Sequence, residues 1–153
     1  MTFGWINAVN AAIVAVLFAA SAIGQRRSGL PPMKSRYPAL NILEQIGRYA
    51  CMALMVLPLC PGLKFGFATI GAFLVWAVLT LLLLIVYVLL WADGVKSAAS
   101  LYALAIVPAL LFLESGVYLR HWALLGAAVL FGVSHTLIVH ETLRRTKTDA
   151  ADE

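Results

Sequence analysis

Asn41, Glu44, Gln45 and Arg48 stand at i, i+3, i+4 and i+7, a spacing that aligns four polar side chains on one face of a helix. The opposite face is apolar. Chemically, Arg can hold a phosphate and Glu can move a proton. If this helix enters a bilayer near Pro38, Arg48 lies about 15 Å along it, close to mid-membrane. A charge at that depth costs at least about 2.5–3.5 kcal/mol on insertion scales, so it needs protein or water around it and a partner. Glu44 is the natural partner, because Glu four residues before a basic residue is the favourable order on a helix. Two readings stand side by side. In one, the face is an intramembrane polar site. In the other, residues 39–48 form an amphipathic entrance at the cytoplasmic interface, with Arg48 snorkelling toward headgroups. The second leaves only residues 49–63 to span, which is short for a crossing.

Toward the C-terminus, Ser134, His135, Thr136, His140 and Glu141 fall in the same leaflet as Glu44. The candidate site is therefore Asn41, Glu44, Gln45 and Arg48 with His135, whose imidazole titrates near neutral pH and can relay protons. His135 alone is also read as a hydrogen-bonded packing residue. His135 and His140 are about 140° apart around a helix, which does not suit a two-histidine metal site, so no metal and no cofactor are expected. A second candidate group gathers toward the outer surface: Asn10, Glu114 and Arg120, with Asn7 and His121 nearby. There Glu114 is expected either to meet Asn10 across a helix interface or to pair locally with Arg120. Cys51 and Cys60 would lie about 180° apart on a helix and read as small apolar residues, not a disulfide. The chain has no Gly-rich phosphate loop, nucleophile elbow or HExxH, so common enzymes with those motifs are excluded.

The elements that position these residues follow from composition. Of 153 residues, 63% are hydrophobic and 12% charged, against roughly 45–50% apolar and about 25% charged in ordinary soluble domains. A soluble domain of this length buries only about 70% of its unfolded surface, so the excess apolar residues would lie outside, where lipid is the solvent that tolerates them. The net charge of +4 comes from short basic clusters beside apolar segments, which points to membrane orientation and away from nucleic acid.

An all-α, polytopic transmembrane bundle of about five helices is expected, as one membrane domain over residues 1–153. The helices are read as about 2–24, 39–62, 65–92, 97–119 and 122–143, with a frayed polar tail over 144–153. Pro58 is expected to kink the second near its far end, and Pro108 lies near the centre of the fourth. Ala20-Ser21-Ala22 resembles a signal cleavage site, but no Lys or Arg precedes the first apolar stretch, so that stretch is read as a helix. Ala11, Ala15 and Ala19 give it one smooth face. With the first loop inside, eight basic residues fall on the cytoplasmic side and only Lys64 and Arg120 outside, which sets the N-terminus out and the C-terminus in. Trp5, Phe65, Tyr118 and Trp122 would mark the outer interface, and Tyr37, Trp91 and Tyr102 the inner one. Ala53-Leu54 with Pro58 matches the spacing of Ala103-Leu104 with Pro108, a weak internal similarity that an Ala/Leu-rich sequence also produces by chance.

The segment Asn41-Ile42-Leu43-Glu44-Gln45-Ile46-Gly47-Arg48, followed by an apolar run, resembles NxxEQIGR-like segments of uncharacterised bacterial polytopic membrane proteins, over about a third of the chain. The resemblance implies a membrane location and no activity. Three functions are consistent with these features. One is an assembly or regulatory membrane subunit whose polar residues hold helices together, and it is the leading expectation. The second is a small transporter or transporter-like subunit with a polar intramembrane site. The third is a membrane enzyme acting on a lipid; enzymatic activity is the less favoured expectation. The expected setting is multi-pass in the cell membrane. The expected partners are the lipid bilayer and a second copy or another membrane protein, with no nucleic acid.

Overall fold

A computed structural model describes residues 4–29, 33–57 and 67–149. They form α1 (Gly4–Ser28), α2 (Pro38–Val56), α3 (Ile70–Asp93), α4 (Ala98–Tyr118) and α5 (Trp122–Asp149), and no strand occurs among them. The all-helical bundle expected from sequence is present. Four stretches, Asn7–Ser28, Ile70–Asp93, Ala98–Tyr118 and Trp122–Arg145, are long and apolar enough to cross a membrane. Over its described residues α2 falls short of that hydropathy because of its polar face.

Each boundary has a local cause. α2 starts with Pro38 at a position whose N–H has no helical partner in any case. It was expected to run to residue 62 but ends at Val56, with Leu57 extended at φ −105°. The residue before a proline is pushed out of helical backbone, so Leu57-Pro58 stops the helix where a kink was expected; Pro58, Cys60, Lys64 and Phe65 themselves lie outside the described residues. α3 begins five residues later than expected, at Ile70, where the Thr69 hydroxyl accepts from Ala72 N at 3.0 Å. It closes at Gly94, whose φ of +78° suits glycine. Ser97 and Ser100 cap α4 reciprocally. α1 continues through Arg26 and Arg27, which favour a helix C-terminus. The tail expected to fray is helical as far as Asp149.

The turn from α4 to α5 is tight. His121 N donates to Gly116 O at 2.8 Å and Arg120 N to Val117 O at 3.1 Å, the paired bonds of a left-handed helix stop, with Arg120 at φ +57°. His121 is buried, and its Nδ1 accepts from Leu124 N at 3.2 Å, capping α5. Burial pushes its pKa below the ordinary histidine value. The capping nitrogen must be unprotonated, so the unfolded chain takes up the proton first as pH falls below about 6.5. Stability should then decline with falling pH until the folded-state pKa is passed. His121→Asn keeps a cap without a titrating group. Thermal unfolding in detergent between about pH 8 and about pH 5 should show the parent losing more stability than His121→Asn. Equal losses would assign the acid sensitivity elsewhere.

α4 and α5 form the central hairpin. α2 packs on α5, α3 on α4, and α1 on α3 and α2. Leu111, Phe112, Leu124, Ala128 and Phe131 fill the middle. Small residues bring the helices close, Gly116 against Leu125 and Gly132 against Ala109. Outward, α3 presents Leu74, Val78, Leu81, Leu82 and Ile85 to the surroundings, a surface compatible with a lipid bilayer. α2 follows the same inside-out pattern: Ile46 is 55% exposed and Glu44 only 6%.

Candidate functional site

The site is built on a close crossing of α2 and α5. Gly47 faces the Phe131 backbone, and a Cβ there would lie 2.9 Å from Phe131 Cα. Only glycine allows that approach, and the approach brings Glu44, one turn away, to α5. Glu44 Oε1 lies 3.2 Å from His135 Nδ1 and also accepts from Arg48 Nη2. Phe131 packs against two of the three polar groups. Its ring stacks on His135 with centroids 5.2 Å apart and planes at 23°, and the Arg48 guanidinium carbon sits 5.9 Å from its centroid. Three of the five sequence candidates, Glu44, Arg48 and His135, thus form one connected set.

The other two have different surroundings. Asn41 clamps the α1–α2 connection: its Oδ1 accepts from Ser35 N at 2.8 Å and its Nδ2 donates to Ser35 O at 2.9 Å. Gln45 stays exposed. Ser134 and Thr136 donate to backbone carbonyls of their own helix. His140 Nδ1 pairs with the Tyr102 hydroxyl at 2.6 Å. Glu141 latches the connection from α5, accepting from the Ser35 hydroxyl, from Arg36 N at 3.3 Å and from Arg145.

The outer group does not converge. Asn10 Nδ2 donates to Met55 O at 2.9 Å, satisfying a carbonyl that the end of α2 leaves open. Glu114 accepts from Thr80 of α3 at 2.8 Å, in place of the expected Asn10 or Arg120. Arg120 is exposed in the α4–α5 turn. Ser115, beside Glu114, accepts from Trp76 Nε1 at 3.1 Å. These are bonds between neighbouring helices, each with its own partner.

Beside the Glu44 set lies a cavity of about 270 Å³. All five helices contribute to it. Asn41, Glu44, Gln45, Arg48 and His135 line one side, Leu104, Pro108 and Phe112 of α4 another, and Ser21, Gln25, Tyr87 and Trp91 of α1 and α3 the rest. Sequence reasoning missed these α1 and α3 residues, and also Phe131. The available signal was spacing: Ser21 with Gln25, Tyr87 with Trp91, and Phe131 with His135 are all i, i+4 pairs. Trp91, expected in the inner interfacial belt, also lines the cavity.

The arrangement offers a guanidinium, a carboxylate in contact with a histidine, and amide and hydroxyl groups around a space lined in part by apolar residues. It can bind a polar group and move a proton between Glu44 and His135. Among the described residues, no three His, Cys, Asp or Glu side chains converge as metal ligands. No protein family matches the chain, and no curated protein or solved structure is significantly similar to it.

Proposed function

We propose that the protein is a multi-pass protein of the cell membrane, N-terminus outside and C-terminus inside, that takes a small polar ligand into the cavity from the cytoplasmic half, in the manner of a transporter or transporter-like subunit. The observation that carries this reading is the Glu44–Arg48–His135 set opening onto a cavity that also collects polar side chains from α1 and α3. Polar residues that serve only to hold helices together need no such space. The bilayer setting draws on the four long apolar helices. The orientation draws on the eight-to-two distribution of basic residues.

A second reading, an assembly or regulatory subunit, draws on the broad apolar face of α3, which suits a membrane partner or a second copy as well as lipid.

Thiol labelling separates the two. Cys51 and Cys60 are replaced by Ala, and Gln45→Cys and Arg120→Cys are introduced singly. In oriented membrane vesicles, an impermeant maleimide should reach Gln45→Cys only from the cytoplasmic face and Arg120→Cys only from the opposite one. An extract of cellular small molecules and lipids should slow labelling of Gln45→Cys and leave Arg120→Cys unaffected. Labelling of both from one side would refute the topology. A rate at Gln45→Cys indifferent to extract, together with a stoichiometric protein partner after native purification, would favour the subunit.

A further inference from the structure

The walls of the cavity are unequal in a way that selects a class of ligand. Arg48 gives Nη2 to Glu44, while its side chain remains 34% exposed. A guanidinium carries five N–H donors, so most of them are not spent on that contact. On the facing wall the Trp91 Nε1 atom is buried with no hydrogen-bond partner among the described residues, and an indole N–H can only donate. Lys34 stands at the rim. Donors from α2 and α3 thus reach one cavity, an arrangement that suits an anion. Charge agrees: Arg48 and Lys34 outweigh Glu44 by one positive charge even with His135 neutral.

The opening is on the side of the bundle. Phe18 and Gln25 of α1, Lys34 of the connection and Gln45 of α2 all line the cavity and are exposed, so the mouth lies between these two helices and reaches their connection. The surface around it carries Ile42, Ile46 and Tyr49, all exposed. The volume is close to the lower end of small-molecule pockets, roughly 300–1,000 Å³, which is enough for a headgroup and too little for a whole lipid.

We propose that the cavity takes a phosphate-bearing anion, its oxygens held by the free donors of Arg48 and by the Trp91 N–H, and that the lateral mouth beside Phe18 admits it as the headgroup of an anionic lipid whose chains stay outside. This rests on the reading that the cavity holds a ligand, and it names that ligand's chemistry. A soluble phosphate ester shares the chemistry, and the mouth between α1 and α2 is what favours the lipid.

The test uses the full chain with Gln45→Cys and both native cysteines replaced by Ala, in nanodiscs of phosphatidylcholine, labelled with an uncharged polyethylene glycol maleimide. Replacing part of the lipid with phosphatidylglycerol should slow labelling about tenfold or more, the scale of one charge-assisted hydrogen bond. Adding Arg48→Gln should abolish that protection. Should Arg48→Gln misfold, Lys34→Gln on the exposed connection should weaken protection in a folded protein. Protection by glycerol phosphate in pure phosphatidylcholine, equal to that by phosphatidylglycerol, would keep the phosphate site and overturn the lipid source. Protection by cellular extract but by neither phosphate compound would overturn the phosphate class and leave the ligand-binding reading intact. No protection by anything would end both.

Discussion

Glu44→Gln should lower the stability of the detergent-solubilised protein by about 3–5 kcal/mol, the usual cost of removing one partner from a buried ion pair. Glu44 is almost fully enclosed and touches both Arg48 on its own helix and His135 on α5, so its loss leaves Arg48 without a counter-charge and removes the polar contact between α2 and α5. Arg48→Gln should cost less, about 1–3 kcal/mol, because the guanidinium is a third exposed and Glu44 keeps His135. The double substitution should lose less than the sum of the two, by a coupling of about 0.5–3 kcal/mol. Thermal or denaturant unfolding of the four proteins measures the cycle. If both single variants unfold like the parent, the pair behaves as an exposed one and the interfacial reading of residues 39–48 gains the ground.

Gly47→Ala is also expected to destabilise the protein although it adds a single methyl group. That methyl would sit 2.9 Å from both Cα and N of Phe131, and backbone cannot rotate away as a side chain can, so α2 must lift from α5. Overpacking of this kind costs about 1–3 kcal/mol. It outweighs the gain of up to about 1 kcal/mol that Ala has over Gly inside a helix. The lift should also lengthen the Glu44–His135 contact. Gly126 on α5 is the control, because a Cβ there meets nothing within 4 Å. Gly126→Ala should be neutral or stabilising by up to about 1 kcal/mol. Equal behaviour of the two alanine variants would show that the α2–α5 crossing has room to spare.

Hydropathy and spacing carried the helical bundle and the chemistry of α2. The i, i+4 order of Glu44 and Arg48 is local, and His135 could be placed in the same leaflet by counting residues along α5. What the spacing could not supply is which helix faces meet. Glu114 was matched to Asn10 or Arg120 by depth and proximity, but α3 packs on α4 and presents Thr80 first. Asn41 belonged to the polar stripe by periodicity, yet an Asn near a helix start also bonds well to nearby backbone, and here it holds the connection at Ser35. The early end of α2 was legible in Leu57-Pro58, where the restriction acts on the residue before proline. The enclosure of Tyr87 and Trp91 depends on α1 lying across α3 at Gly24, a long-range contact that periodicity does not encode.

The polar inner face of α2 also constrains how the chain is made. α2 emerges early in synthesis, while Phe131 and His135 belong to the last helix, with Glu44 and His135 91 residues apart (135 − 44). In a bilayer, α2 on its own would expose Glu44 and Arg48 to hydrocarbon, an arrangement that insertion energetics disfavour. Its stable placement therefore waits for α5, and until then the nascent protein has its strongly apolar α3 and α4 in place with α2 unsettled beside them. The docking of the second helix against the fifth is then the contact that completes the polar interior.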